Sequence, residues 1–218
     1  MNKVLIIVAH PDDEVLGCGA TIAKHTQNGD TVQTVFIADG FSSRENSSNR
    51  DSSAYKASEI LGCEKPVFLN FPDNQLDTIS LLRIVKEVEK SIEDFQPSII
   101  YTHHFGDLNI DHQITHKAVM TACRPQPNFC VKEIYSFEIL SATHWQSPSM
   151  GAAFNSNYFI NVSGFMEKKI KALQHYDNEM QEYPHARSYE SVVNLAKFRG
   201  SLAGIKVAEG FFIERLVK

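Results

Sequence analysis

At 218 residues, with 43% hydrophobic and 22% charged side chains, the chain has the size and make-up of one substantial α/β domain and is short for two. A net charge of −5 argues against a general nucleic-acid binder. The apolar run before His10 is too short for a secretory segment, no stretch reaches membrane-spanning length, and the four cysteines (Cys18, Cys63, Cys123, Cys130) form no C-x-x-C pair. A single domain over residues 1–218 is therefore expected, with reduced thiols, no membrane span and a cytoplasmic location.

Val4 to Val8 reads as a buried strand, followed by Ala9-His10-Pro11-Asp12-Asp13-Glu14 and a helix from about Glu14 to Gln27. Open α/β sheets bind ligands beyond the carboxyl ends of their strands, which is where this hexapeptide stands. Asp12 and Asp13 repel each other, and a divalent cation relieves that conflict. Successive side chains of an extended backbone point to opposite sides, so one aspartate can bind metal while the other faces a substrate. A simple helix cap accounts for one acid and leaves His10 without a purpose.

Asn28-Gly29-Asp30 turns into a second strand, Thr31 to Ala38, which ends at Asp39-Gly40 on the same side as the hexapeptide. The polar segment Phe41 to Ser53 is expected to be a substrate-side loop, rooted at Asp39 and carrying Arg44 and Arg50, before a helix that stops at Leu61-Gly62. Pro66 to Leu69 gives a third strand and Asn70 to Asn74 a turn. Leu81, Val85, Val88, Ile92 and Phe95 recur at helical spacing and belong to the core, and Ser98 to Thr102 is a fourth strand. The alternation predicts a Rossmann-like three-layer α/β fold, a mostly parallel central sheet with helices on both faces. No G-x-G-x-x-G supports its dinucleotide-binding form.

Strand four runs into His103-His104-Phe105-Gly106-Asp107-Leu108-Asn109-Ile110-Asp111-His112, with Asp111 expected as a helix cap and His112 and His116 one turn apart. A catalytic zinc takes three protein ligands and keeps a position open, and His10, Asp13 and His112 would supply them. The glutamate of H-E-x-x-H is missing, Gln113 standing in its place, so His116 is read as a partly exposed or substrate-side histidine.

The hexapeptide and the later Asp111-His112 pair together resemble the signature of the PIG-L (LmbE-like) family of zinc-dependent N-deacetylases, which act on N-acetylated amino sugars. The resemblance implies that His10, Asp13 and His112 hold one Zn2+ per chain, with another divalent metal such as Fe2+ as the alternative, and that Asp12 is the general base. Many members carry a further histidine three residues before the metal-binding one, for acid or oxyanion work. Here that position is Asn109, which can donate a hydrogen bond but cannot shuttle a proton. Either His103 or His104 takes that role, or Asp12 alone protonates the leaving amine.

In the last third, Val131 to Phe137 is a fifth strand and Glu138 to Gly151 a long loop with Thr143, His144 and the only tryptophan, Trp145, which reads equally as a sugar-stacking platform and as a surface plug. Tyr158 to Val162 is a strand, Met166, Ile170 and Leu173 open a helix, Val192 to Ser201 is another, and Glu209 to Phe212 closes the chain. Between those helices, His175-Tyr176-Asp177 and, after a short turn, Glu182 to Ser188 resemble the family's substrate-proximal segment, with Tyr183, His185 and Arg187 as sugar or phosphate contacts; the competing reading is a solvated loop. The expected activity is metal-dependent removal of an N-acetyl group from an amino sugar or sugar conjugate, as in glycoconjugate or surface-polysaccharide biosynthesis. The site gives the reaction class and the resemblance gives the sugar. A metal-dependent amidase on a non-sugar N-acyl substrate and a catalytically silent sugar-binding module are the alternatives. The expected partner is a small N-acetylated sugar, and homo-oligomerisation is left open.

Overall fold

The structure is a computed structural model that describes residues 1–43, 50–149, 151 and 153–218. Strand β1 (Lys3–Val8) leads into α1 (Asp13–Gln27), β2 (Thr31–Ala38), α2 (Asp51–Leu61) and β3 (Val67–Phe71). Next come α3 (Leu81–Phe95), β4 (Ile99–His103), α4 (Ile110–Ala122) and β5 (Glu133–Phe137). The last third holds β6 (Tyr158–Asn161), α5 (Met166–Leu173), a 3-10 segment (Gln174–Glu179), α6 (Tyr189–Leu202) and β7 (Ala208–Leu216).

Every residue of β1 after Lys3 is buried, because the strand is covered on both faces. Its alternation divides the core: Val4, Ile6 and Val8 pack with α1, α2 and α5, whereas Leu5 and Ile7 pack with α3 and α4. The sheet order is β3-β2-β1-β4-β5-β7-β6, and the pairs from β3 to β5 are all parallel. This is the mostly parallel sheet with helices on both sides that the alternation predicted. The winding reverses between β1 and β4, and such a reversal opens a crevice at the strands' carboxyl ends. Among the described residues no helix is long and apolar enough to cross a membrane.

Three local expectations shift. β3 continues through Asn70 to the buried Phe71, which pairs with Ala38 after a register slip, so the turn starts later than the sequence implied. In α3 the buried stripe is Ile84, Val85, Val88 and Ile92, while Leu81 at the first position is 39% exposed. The closing segment is a nine-residue strand, β7, antiparallel to both β5 and β6. Its first four residues are buried and most of the rest only partly, while the pairing with β5 runs on to Leu216.

Helix α1 is broken at Cys18 (φ −143°, ψ 23°), and a buried ion pair splints the break. Lys169 Nζ donates to Leu16 O at 2.8 Å, at the end of the first segment. Glu209 accepts from Ala20 N and Thr21 N at 3.1 and 2.7 Å, at the start of the second, and is bound by Lys169 at 2.6 Å. Such a pair is hard to break, since leaving one charge buried alone costs about 3–5 kcal/mol. Gly17 lets this helix press onto β5: a Cβ there would lie 2.3 Å from the Phe137 ring. The short helical turn that starts at Asp13 is thus held from α5 and β7.

Candidate active site

The end of β1 delivers His10 to the crevice, and α1 starts so soon afterwards that Asp13 and Glu14 fall in its first turn. Asp13 Oδ2 accepts His10 N at 2.9 Å and lies 3.3 Å from His10 Nδ1, 3.3 Å from His112 Nε2 and 3.4 Å from His103 Nε2. One donor atom from each of His10, Asp13 and His112 lies within 4.8 Å of the other two, and all three residues are buried. Among the described residues, Asp13 Oδ1 and His112 Nε2 have no hydrogen-bond partner. Buried polar atoms are rarely left so, and a divalent cation satisfies both. Two imidazoles and a carboxylate are also the donor set of an open tetrahedral site, so these residues fit the metal that the sequence implied.

Carboxylates behind the histidines orient them. His10 Nε2 donates to Asp111 Oδ2 at 3.0 Å, which turns Nδ1 toward Asp13. His112 Nδ1 lies 3.2 Å from Asp107 Oδ2, an atom that also accepts the Thr143 hydroxyl at 2.7 Å. Burial alone would lower both imidazoles, but Asp111 and Asp13 hold His10 up at about 9, and Asp13 and Asp107 hold His112 up at about 10. Against its own burial, Asp13 is held well below the usual carboxylate range by His112 and by a hydrogen bond from His10. Negative charge thus gathers around these imidazoles, and a bound cation would compete with their protons for it. His10, Asp73 and Asp111 form a second close group, with Asp73 Oδ1 3.2 Å from His10 Nε2. Its acids are already committed: Asp111 accepts Leu76 N and Asn74 N at 3.0 and 2.7 Å, and Asp73 accepts the Ser43 hydroxyl. We read this group as the buttress of His10.

Asp12 has a different set of partners from Asp13. It is 2% exposed, has φ 131° and makes no side-chain cap to α1. Its Oδ2 accepts from Arg50 Nη1 at 3.1 Å and Arg187 Nη1 at 3.2 Å. Burial and the charge of Asp13 raise its carboxyl above the ordinary value in spite of both guanidiniums. Arg50 also donates to Pro11 O and Gly40 O, and Gly40 (φ 72°) leaves room for it, since a Cβ there would lie 3.1 Å from Arg50 Nη2.

The remaining expectations are redistributed. His103 does not reach the rim: it is fully buried, its Nε2 accepts Ala9 N at 2.9 Å, and its ring stacks beneath His112 at 3.9 Å between centroids. Burial and His112 push it down to about 4, so it is a neutral support for the cluster and not an oxyanion donor. His104 is buried against the rings of Phe105 and Phe154. Asn109, and not Asp111, caps α4: its side chain accepts Asp111 N at 2.8 Å, which frees the Asp111 carboxylate for His10. His116 Nδ1 donates to His103 O at 2.8 Å, and the residue is buried where a partly exposed position was expected. Asp39 accepts Phe41 N and Ser42 N at 3.1 Å and so roots the loop; Arg44 lies outside the described residues. Arg187 is drawn inward to Asp12 and to Ser141 Oγ, and His185 Nδ1 accepts Arg187 N. Trp145 and Tyr183 stay 55% and 60% exposed, with Trp145 edge-on to His185 at 5.5 Å. The sequence assigned no role to Asp73, Asp107 or Glu14, and placed Tyr176 only in the substrate-proximal stretch; Asp73 and Asp107 were visible as acids in loops leaving strands at this rim.

A buried His-Asp-His cradle at the crevice of a Rossmann-like sheet, with a second carboxylate, Asp12, beside it, defines a candidate divalent-metal centre. The chain belongs to the PIG-L family, described as GlcNAc-PI de-N-acetylase, which it matches over residues 5–123. It is 32% identical to the uncharacterized deacetylase YaiS of Escherichia coli (strain K12), covering 72% of this chain and 84% of that protein. It is 27% identical to the diacetylchitobiose deacetylase of Thermococcus kodakarensis, covering 96% of this chain and 82% of that one. The fold is shared with the solved structure of GalB, the 4-carboxy-2-hydroxymuconate hydratase of Pseudomonas putida KT2440, at a TM-score of 0.78 and 20% identity, over 100% of this chain and 99% of that one. Since the same frame carries a hydratase, the reaction has to be argued from the side chains.

Proposed function

We propose that residues 1–218 form one metal-dependent hydrolase domain that removes an N-acetyl group from an amino sugar or its conjugate. The observation that carries the reading is the division of labour in one hexapeptide: His10 and Asp13 converge on His112, while the adjacent Asp12 is held by a different pair of partners, Arg50 and Arg187. The sugar comes from the family and from the relative named as a diacetylchitobiose deacetylase.

His10, Asp13 and His112 would hold the cation, zinc in this reading, which when bound polarises the amide carbonyl and brings a water's pKa from ~16 toward ~7. Asp12 then accepts the proton of the attacking water and returns it to the leaving amine. Both arginines hold Oδ2, so Oδ1 is the oxygen for that transfer. Asp111 and Asp107 keep the two imidazoles in the ligating tautomer. Trp145 and Tyr183, exposed on neighbouring loops, are the sugar contacts we favour, and oxyanion stabilisation falls to the metal and not to His103. The four free cysteines suit a reducing compartment such as the cytoplasm.

The test is acetate release by the zinc-loaded chain from N,N'-diacetylchitobiose and other N-acetylglucosamine conjugates, set against N-acetyl amino acids and simple acetamides. We expect release from the sugars and little from the rest. Hydrolysis confined to the non-sugar amides would reject the sugar, and a metal-loaded protein inert toward the whole panel but able to bind the sugars would be the silent binding module.

A further inference from the structure

Glu14 has no part in the chemistry above, yet it is only 2% exposed beneath the site. Its carboxylate bridges two donors that come from distant parts of the chain. Oε2 accepts Asp12 N at 3.0 Å, and Oε1 accepts the Tyr176 hydroxyl at 2.7 Å. Tyr176 is itself buried, at a kink (φ −110°, ψ 28°) in the 3-10 segment Gln174–Glu179. Burying an acid here works against stability, and a purely apolar contact would fill the space at less cost.

The residue that Glu14 holds is the one with unusual backbone. Asp12 has φ 131° and ψ −31°, a conformation that L side chains rarely adopt and that persists only where the surroundings over-determine it. At the start of a helix its N–H has no intrahelical acceptor, and Glu14 Oε2 supplies one. Arg50 and Arg187 fix the far end of the same residue through Oδ2. The side chain is therefore pinned at its tip and the backbone at its root, and the root depends on Glu14 being held by Tyr176.

We propose that the Glu14–Tyr176 hydrogen bond is a positioning strut that locks the peptide of Asp12 in its positive-φ conformation and so aims the base. The proposal rests on the reading of Asp12 as the base. It makes turnover depend on how the 3-10 segment from the last third of the chain is seated against the first hexapeptide. Neither residue touches substrate; both act through Asp12.

Tyr176→Phe removes the hydroxyl and keeps the ring, and Glu14→Ala removes both bonds. Glu14→Gln keeps both, since its carbonyl accepts Asp12 N and its amide donates to the tyrosine oxygen. With the zinc-loaded full chain and N,N'-diacetylchitobiose, kcat should fall about tenfold or more in Tyr176→Phe and Glu14→Ala, the scale of a misplaced reacting group. KM, zinc content and circular dichroism should stay at wild type, and Glu14→Gln should restore most of kcat with an unchanged pH profile. In an Asp12→Asn background, Tyr176→Phe should cause no further loss, because the strut has no other route to the reaction. Wild-type kcat in Tyr176→Phe, or its full effect added to that of Asp12→Asn, overturns the strut and leaves the base standing. Loss of zinc or of fold in Tyr176→Phe also overturns it, by making the pair part of the framework. An Asp12→Asn protein with wild-type turnover overturns the base, and the strut with it.

Discussion

The hexapeptide has a histidine side and an arginine side, and two consecutive aspartates live in different electrostatic worlds because of it. Asp13 faces His10, His103 and His112, and His112 and His10 hold it ionised in spite of burial. Asp12 faces two arginines, yet burial and its neighbour's charge keep it more basic than an ordinary aspartate. Ligand and base need those opposite settings: a metal ligand must stay deprotonated, and a base must be able to take a proton near working pH. The histidine side is built from β1, β4 and α4, whereas the arginine side borrows Arg50 from the loop before α2 and Arg187 from the loop before α6. In the proposed reading, metal binding thereby falls to the parallel core, and base chemistry to the contacts between that core and the rest of the chain.

The largest effect should come from breaking the histidine side. His112→Ala should drop bound zinc from about one equivalent to near zero and abolish turnover, while His116→Ala keeps both, since His116 reaches only the His103 carbonyl. Asp107→Asn should fall between them, with metal affinity down about 10- to 100-fold, as is usual when the carboxylate behind a ligating histidine is lost. Zinc titration of the three variants checks the order, and retention of metal by His112→Ala would move the centre elsewhere.

Breaking the arginine side should have a smaller and different effect. Arg187→Met should leave zinc content intact and lower kcat without abolishing it, because Arg50 still holds Asp12. Arg187 lowers the Asp12 carboxyl, so its removal lets Asp12 take up a proton at higher pH, and the acid limb of the kcat/KM profile should move up. A profile that stays in place, or moves to lower pH, would disconnect Arg187 from the base.

Much of this contrast was legible before the fold. An apolar run ending in His-Pro-Asp-Asp, and a second histidine after a later strand, suffice to place His10, Asp13 and His112 at one rim, because parallel strands bring their carboxyl ends together. What the sequence hid depends on which loops meet. Asp73 and Asp107 are ordinary loop acids until the Ser43 hydroxyl and Thr143 reach them, and Tyr176 is an ordinary core tyrosine until Glu14 is found beneath the crevice. Asn109 and Asp111 are equally good caps on paper; the chain starts the helix at the earlier one, and the later carboxylate is released to His10. His103 was misplaced because the histidine-rich stretch was read as rim, whereas β4 extends through it and turns its ring inward. Strand β7 escaped because half of it is only partly buried, and its pairing leaves no periodic trace.

The division between the two aspartates is tested most directly by measuring zinc content and kcat on the same preparations of Asp12→Asn and Asp13→Asn. Asp12→Asn keeps shape and hydrogen bonding but not basicity, so zinc should stay near wild type while kcat falls by ~10² to 10⁴. Asp13→Asn should lose zinc, with part of its turnover recovered when zinc is supplied in excess. An Asp12→Asn protein that turns over normally, or one whose defect is simply missing metal, would contradict the account.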